Sequence, residues 1–275
     1  MDKAIGVDIG GTKMLMLAEY KGEKLTKILP TGMTCTSTDI KKELSAFVAM
    51  LPFTPSCIGV AVPGLVEEER VVVASDVLPA IAGMTTDFLC MGDYPIYLIN
   101  DVKAALIQES AAVDEHATTA VLMVGTGIAI GVKANGKILT GCKGWAGELG
   151  SIPIPTLDGI RTLDTVASGA GILAQAGVSA ARLRQQIEQG DEASRQLIHT
   201  AGEYLGLGMA TVIHLFNPER FILGGGTLQY EGYEEAAVRT AQKYTLPQLW
   251  EVCSVERSKN PAHMVAQGAR RFASR

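Results

Sequence analysis

Residues 5–17 read Ile-Gly-Val-Asp-Ile-Gly-Gly-Thr-Lys-Met-Leu-Met-Leu, and this stretch decides how the rest of the chain is organised. Residues 4–7 read as a strand, Gly10-Gly11 as a turn, and residues 14–18 as a returning strand, which together make a hairpin with a polar tip. The pattern comes back further on. Residues 120–124 are an apolar strand, Gly125-Thr126-Gly127 a turn, and residues 128–133 a strand again. Two copies of one hairpin point to a duplicated unit.

Working outward, strands are expected over residues 57–62, which end at Pro63-Gly64, and over 96–99, which run into Asn100-Asp101. A further strand at 220–223 closes on Gly224-Gly225-Gly226. Helical spacing covers 40–50, 102–112, 165–176, 179–189, 192–216 and 261–272. The alternation predicts α/β layering. Gly202, Gly206 and Gly208 fall inside the longest helix, where glycine destabilises, so close packing on another helix is expected there. The division drawn from this pattern is a first domain of residues 1–108 closed by a returning helix at 262–275, and a second domain of residues 109–261.

Composition narrows the function. The chain has 275 residues and a formal net charge of -5, with 47% hydrophobic and 19% charged residues. The acidic balance and the lack of a long Lys/Arg run argue against a nucleic-acid partner. The five cysteines are scattered and include no CxxC pair, as expected for buried thiols in a reducing cytoplasm. No basic leader with an apolar core opens the sequence. The longest apolar stretch, residues 119–132, holds three glycines and is too short to cross a bilayer. A soluble cytoplasmic protein with no membrane partner is expected.

Five clusters carry chemistry. In the first, Asp8, Gly10, Gly11, Thr12 and Lys13, bare backbone lets N–H groups approach a phosphate. Thr12 adds a hydroxyl, and Asp8 stands where a carboxylate could hold Mg²⁺, directly or through water. An ordinary hairpin uses the same Gly-Gly pair, and the Walker pattern GxxxxGK[ST] is absent. Gly125, Thr126 and Gly127 repeat that chemistry in the duplicated position. Asn100-Asp101 lies at a strand end before a helix, where such residues serve as caps; the functional reading makes Asp101 the base that accepts a hydroxyl proton during phosphoryl transfer. Residues 141–151, Gly-Cys-Lys-Gly-Trp-Ala-Gly-Glu-Leu-Gly-Ser, expose Glu148 on a glycine-rich loop, which suits either a solvent loop or the paired hydroxyls of a sugar. Gly224, Gly225 and Gly226 offer bare backbone for adenosine, or form a turn.

Taken in order, these motifs resemble the ROK family of sugar kinases, within the actin-like ATPase superfamily. The resemblance rests on DIGGTK at 8–13, GVAVPGLV at 59–66, NDVKAALIQE at 100–109, VGTGIAIGV at 124–132, GCKGWAGELG at 141–150, LDTVASG at 163–169 and FNPERFILGGG at 216–226. It implies a two-domain α/β, actin-like ATPase (ribonuclease H-like) fold with duplicated β-hairpin/βαβ units and an interdomain cleft. It implies ATP and Mg²⁺, two phosphate loops at 8–13 and 125–127, and adenosine at 224–226. A hexose or N-acylated amino sugar would be held by Asn100, Asp101, Glu148, Ser151 and Asp164, with Asp101 as base. A homodimer is implied as well.

The sequence departs from the family pattern in three places. Ser151 stands where the family has a sugar-contacting, zinc-ligating His, and no cysteine occurs from 152 to 163. Structural zinc needs about four N/S ligands, so no zinc is expected. Asp164 occupies the place of a sugar-binding Glu and is one methylene shorter. Asp76 replaces a common Asn. Changes around the sugar rather than ATP predict altered sugar preference. The alternative reading is a non-catalytic sugar sensor or regulator without a DNA-binding domain, since the chain starts at the first strand. An ATPase acting on a protein partner is disfavoured by the short chain and the Asn-Asp pair.

Overall fold

The computed structural model describes residues 3–114 and 116–275. The chain divides into two units, residues 3–114, 138–146 and 259–275 in the first and residues 116–137 and 147–258 in the second.

The first unit begins with β1 (Ile5–Ile9), β2 (Lys13–Tyr20), β3 (Glu23–Pro30), α1 (Ser37–Met50) and β4 (Ile58–Val62). It continues through β5 (Leu65–Glu67), β6 (Val71–Ala74), α2 (Thr86–Leu89), β7 (Ile96–Asn100) and α3 (Asp101–Glu109). Its main sheet has the order β3-β2-β1-β4-β7. The β1–β2 and β2–β3 pairs are antiparallel, and β1–β4 and β4–β7 are parallel. Alternation along β1 puts Ile5, Val7 and Ile9 on one face, in a core shared with Ile58, Val60, Val62, Ile40 and Leu44. Such a period-two pattern follows from the pleat.

The second unit contains β8 (Thr119–Val124), β9 (Ile128–Ala134), β10 (Lys137–Ile138), β11 (Pro153–Thr156), β12 (Gly159–Thr162), α4 (Leu163–Ala167), α5 (Gly169–Ala176) and α6 (Ala180–Glu188). After these come α7 (Glu192–Phe216), β13 (Arg220–Gly224), α8 (Tyr233–Tyr244), α9 (Pro247–Glu251) and β14 (Ser254–Arg257). The sheet order is β10-β9-β8-β13-β14. The β8–β9 pair is antiparallel and β8–β13–β14 are parallel. Strand for strand this repeats the first sheet, so the duplicated hairpin of the sequence is the start of a duplicated five-stranded layer.

The last helix, α10 (Met264–Ala273), belongs to the first unit. It lies on the sheet face opposite the main core, and glycines permit the approach. A Cβ on Gly6 would fall 1.8 Å from the Ala266 carbonyl oxygen, one on Gly59 1.9 Å from that of Ala269, and one on Gly268 1.7 Å from that of Ala104 in α3. The main difference from the sequence-based division is residues 138–146, which fold with the first unit. There the Lys143 ammonium pairs with Glu67 at 3.1 Å, and the Lys103 ammonium donates to the Gly144 carbonyl.

Helix α7 matches its sequence expectation at both ends. Asp191 caps it by accepting from the Ser194 N–H at 2.9 Å, and Asn217 stops it in the left-handed region at φ 42, as helix ends favour. The packing role of its glycines holds for two of them on one side. A Cβ on Gly202 would sit 2.3 Å from the Tyr233 carbonyl oxygen, and one on Gly206 2.5 Å from that of Ala237, both in α8. Gly208 faces elsewhere, towards the Leu163 side chain. The segment expected as one helix over 165–176 is two, because Ser168 leaves helical geometry and its Oγ caps α5 by accepting from Gly171 N–H.

Gly202→Ala tests this packing. The methyl gains about 1 kcal/mol of helix propensity, but the clash is with backbone, which cannot swing aside. A net loss of about 1–3 kcal/mol is expected, read as a lower urea midpoint. An unchanged midpoint would refute the close α7–α8 approach. No described helix is long and apolar enough to cross a membrane.

Candidate active site

In the first unit the parallel strands β1, β4 and β7 end at one sheet edge, with Asp8 level with Ala61, and Val62 with Asn100. Loops leaving the carboxyl ends of parallel strands are the usual place for a ligand. Here they carry Gly10–Thr12, Pro63-Gly64 and Asn100-Asp101. The first turn is closed by the Gly10 N–H donating to the Lys13 carbonyl at 2.9 Å, and the Thr31 hydroxyl donates to the Gly10 carbonyl at 2.6 Å. Thr12 and Lys13 are exposed and Gly11 half-buried, so this tip faces outward with open backbone.

Asn100 is indeed the cap of α3. Its Oδ1 accepts from the Val102 and Lys103 N–H groups at 3.1 and 3.2 Å, and its Nδ2 donates to the Gly64 carbonyl at 3.1 Å. The cap and ligand roles are compatible, because the amide nitrogen carries two hydrogens and Gly64 takes one. Asp101 opens the helix, with Oδ1 accepting from its neighbour Val102 N–H at 2.9 Å. Half-buried Asp8 feels it directly. Burial, and then the negative charge of Asp101, push the Asp8 carboxyl up from 3.8 to about 7, against a smaller opposing pull from Lys13. Asp8 and Asp101 thus stand at the ends of β1 and β7, on either side of β4, near enough for one charge to raise the other's pKa and to oppose ionisation of Asp8. Hard oxygen donors of this kind fit Mg²⁺.

The second unit builds the other turn to the same plan. The Gly125 N–H donates to the Gly127 carbonyl at 2.9 Å. Neighbouring elements hold it: the Gly169 and Ala170 N–H groups donate to the carbonyls of Gly125 and Thr126 at 2.8 and 3.2 Å, and the Thr227 hydroxyl donates to the Gly125 carbonyl at 3.1 Å. Asp164 Oδ1 accepts from the Ile128 N–H at 2.7 Å. Gly225, at φ +106, passes so close that a Cβ would lie 2.2 Å from the Val124 carbonyl oxygen. Gly226 has open space around it. Glu148 and Ser151 are exposed at the ends of one short turn, joined by the Ser151 N–H donating to the Glu148 carbonyl at 3.1 Å.

Where the zinc motif would stand, β11 and β12 form an antiparallel hairpin from Pro153↔Thr162 to Thr156↔Gly159. It is anchored by buried Ile154 and by the Thr156 hydroxyl donating to the Gly159 carbonyl at 2.7 Å. Residues 152–163 include neither Cys nor His, so the donor set there does not fit zinc. Among the described residues no three His, Cys, Asp or Glu side chains converge as a metal group.

Sequence reasoning missed the supports. Lys103 ties the 142–146 loop to α3, Thr227 and the amides of 169–170 fix the second turn, and Thr31 fixes the first. Lys103 was visible inside the NDVK motif, two residues after Asp101. The amide contacts leave no trace in residue identity.

A duplicated five-stranded sheet with a glycine turn on each copy defines a two-unit protein of the α/β class. The chain belongs to the ROK family, whose model matches residues 4–275. Its relatives include an N-acetylmannosamine kinase of Escherichia fergusonii, 28% identical, with 83% of this chain and 84% of that protein covered. Among solved structures, the ROK hexokinase of Thermus thermophilus superposes with a TM-score of 0.81 at 27% identity, covering 98% of this chain and 97% of that one. A ROK family glucokinase of Streptomyces griseus, solved with glucose and AMPPNP, gives 0.80 at 22% identity, covering 98% and 99%, a likeness of fold.

Proposed function

We propose that this protein phosphorylates a hydroxyl of a hexose or an N-acylated amino sugar, using ATP as the second substrate and Asp101 as the general base. The observation that carries this reading is the Asp8–Asp101 pair at the edge of β1 and β7, close enough for one charge to raise the other's pKa. Two electrostatically coupled carboxylates near an open glycine turn suit a cation-bound polyphosphate on one and a hydroxyl proton on the other.

Gly10 and Gly125 N–H groups close their own turns, so the backbone N–H groups of Gly11 and Thr12 take phosphate oxygens on the first unit, and those of Thr126 and Gly127 do so on the second. Gly224–Gly226 lie against adenosine. Asn100 orients the sugar through its second amide hydrogen, and the resemblance assigns Glu148 and Ser151 to further hydroxyls. As the sugar oxygen bonds to the γ-phosphorus, its proton passes to Asp101, and the bond to the bridging oxygen breaks to release ADP. Mg²⁺ near Asp8, when bound, offsets phosphate charge. Magnesium usually takes one or two protein carboxylates and otherwise phosphate and water. The likeness to an N-acetylmannosamine kinase supports testing that sugar first among acceptors.

The test is a coupled ADP-release assay over N-acetylmannosamine, N-acetylglucosamine, glucose, mannose and fructose. Sugar-dependent ADP release is expected with at least one. Sugar binding without ADP release would instead identify a sensor, and ADP release independent of sugar would identify an ATPase.

A further inference from the structure

The family resemblance assigns position 164 to the sugar, but the geometry around this residue points elsewhere. Asp164 is the second residue of α4, with Thr162 capping that helix by accepting from the Thr165 N–H at 3.3 Å. Its carboxylate lies in a slot between two glycines. A Cβ on Gly150 would stand 2.4 Å from the carboxyl atoms, and one on Gly127 3.6 Å from Oδ2. Oδ1 accepts from the Ile128 N–H at 2.7 Å, the first amide after the Gly125–Gly127 turn. The carboxylate charge also reaches the buried Tyr233 phenol, whose pKa is raised first by burial and then by Asp164. That phenol donates to the Ala167 carbonyl at 2.5 Å, at the end of the same short helix.

We propose that Asp164 is a positioning residue for the second phosphate turn, and that its short side chain is matched to this task. The turn is held from one side by the amides of Gly169 and Ala170 and by the Thr227 hydroxyl, all donating to its carbonyls. Asp164 is the complementary acceptor. It fixes the strand end at Ile128, and so the direction in which the turn's own N–H groups point. A Glu here is one methylene longer than the Asp that bonds Ile128 at 2.7 Å between Gly127 and Gly150. Its carboxylate is expected to overshoot Ile128, as suits a residue that reaches for a sugar instead. The change from Glu to Asp is therefore a change of duty from sugar to nucleotide.

This inference rests on the proposed kinase function, and two readouts separate the two. The first is hydrogen exchange of the Ile128 amide by NMR in the full chain, which needs no ligand. Protection is expected in the wild type and in Asp164→Asn, whose amide oxygen still accepts, and loss of protection in Asp164→Ala and Asp164→Glu. The second is binding of a fluorescent ATP analogue, alongside the KM for sugar. An unsatisfied half-buried N–H and a displaced turn are expected to weaken nucleotide binding about tenfold in the Ala and Glu variants, with Asn restoring it and the sugar KM unchanged throughout. Unchanged Ile128 protection in the Ala and Glu variants would overturn the positioning role. So would a raised sugar KM in Asn with nucleotide binding intact. If exchange behaves as expected but the wild type binds no nucleotide, the positioning role stands and the kinase reading fails.

Discussion

On the proposed kinase function, replacing Asp101 by Asn is expected to leave a folded protein that still takes up sugar and ATP but turns over about 10²–10⁴ times more slowly. The substitution is nearly isosteric, and the amide oxygen can keep the contact now made by Oδ1 with the Val102 N–H. Asn is also well tolerated at the start of a helix. What is lost is the ability to accept a proton, and with it the negative charge that faces Asp8. Single-turnover phosphorylation, run at saturating sugar and ATP, reads the chemical step directly. A rate within a few-fold of the wild type would remove Asp101 from the role of base, whatever the sugar.

The second large effect is on stability. In the magnesium-free, nucleotide-free protein, Asp8→Asn is expected to raise stability at pH 8 while abolishing or severely reducing catalysis. The Asp8 carboxyl titrates near 7 in the fold, against 3.8 as its ordinary value. Below about pH 4 both the folded and unfolded chains hold this proton, so it has no effect on their balance. Between about 4 and 7 only the folded chain holds it, so folding stability falls as pH rises, and above 7 the loss is complete. A shift of this size corresponds to at most about 4 kcal/mol, lessened because the residue is only half-buried and partly hydrated. Urea titrations of both proteins in EDTA from pH 4 to 8 should converge at the acid end and diverge by about 2–4 kcal/mol at the alkaline end. Parallel curves would show that Asp8 is not held against its charge.

Much of this was legible in residues. The duplicated hairpins at 5–17 and 120–133 stand out because glycine interrupts two strongly apolar runs, and α7 is bounded by a capping Asp and a left-handed Asn. By contrast, α8 went unread although it has twelve residues. Its buried positions are Tyr233, Ala236, Ala237, Thr240 and Ala241, one helical face built mostly of Ala and Thr rather than of the large aliphatic residues that mark the other helices. Ala236, Ala237, Thr240 and Ala241 lie where α8 packs against Gly202 and Gly206, which leaves no room there for larger side chains. Strand β3 was missed for a related reason: it is an edge strand whose half-buried Leu25, Lys27 and Leu29 alternate with exposed residues. At the site, the types of residue were readable but their directions were not. Asp164 looked like a shortened sugar ligand, and only coordinates show its carboxylate against Ile128.

The seating of α10 also bears on the order of events during synthesis. The surface of β1 and β4 that bears Gly6 and Gly59, flanked by Leu15 and Leu17 of β2, is covered by a helix spelled out some two hundred residues later. On the ribosome that sheet face must wait while the entire second unit is translated. Chaperone capture, if it occurs, should therefore fall on nascent chains that have not yet exposed residue 264, and a stalled chain ending at 258 should bind a holdase that the released protein ignores.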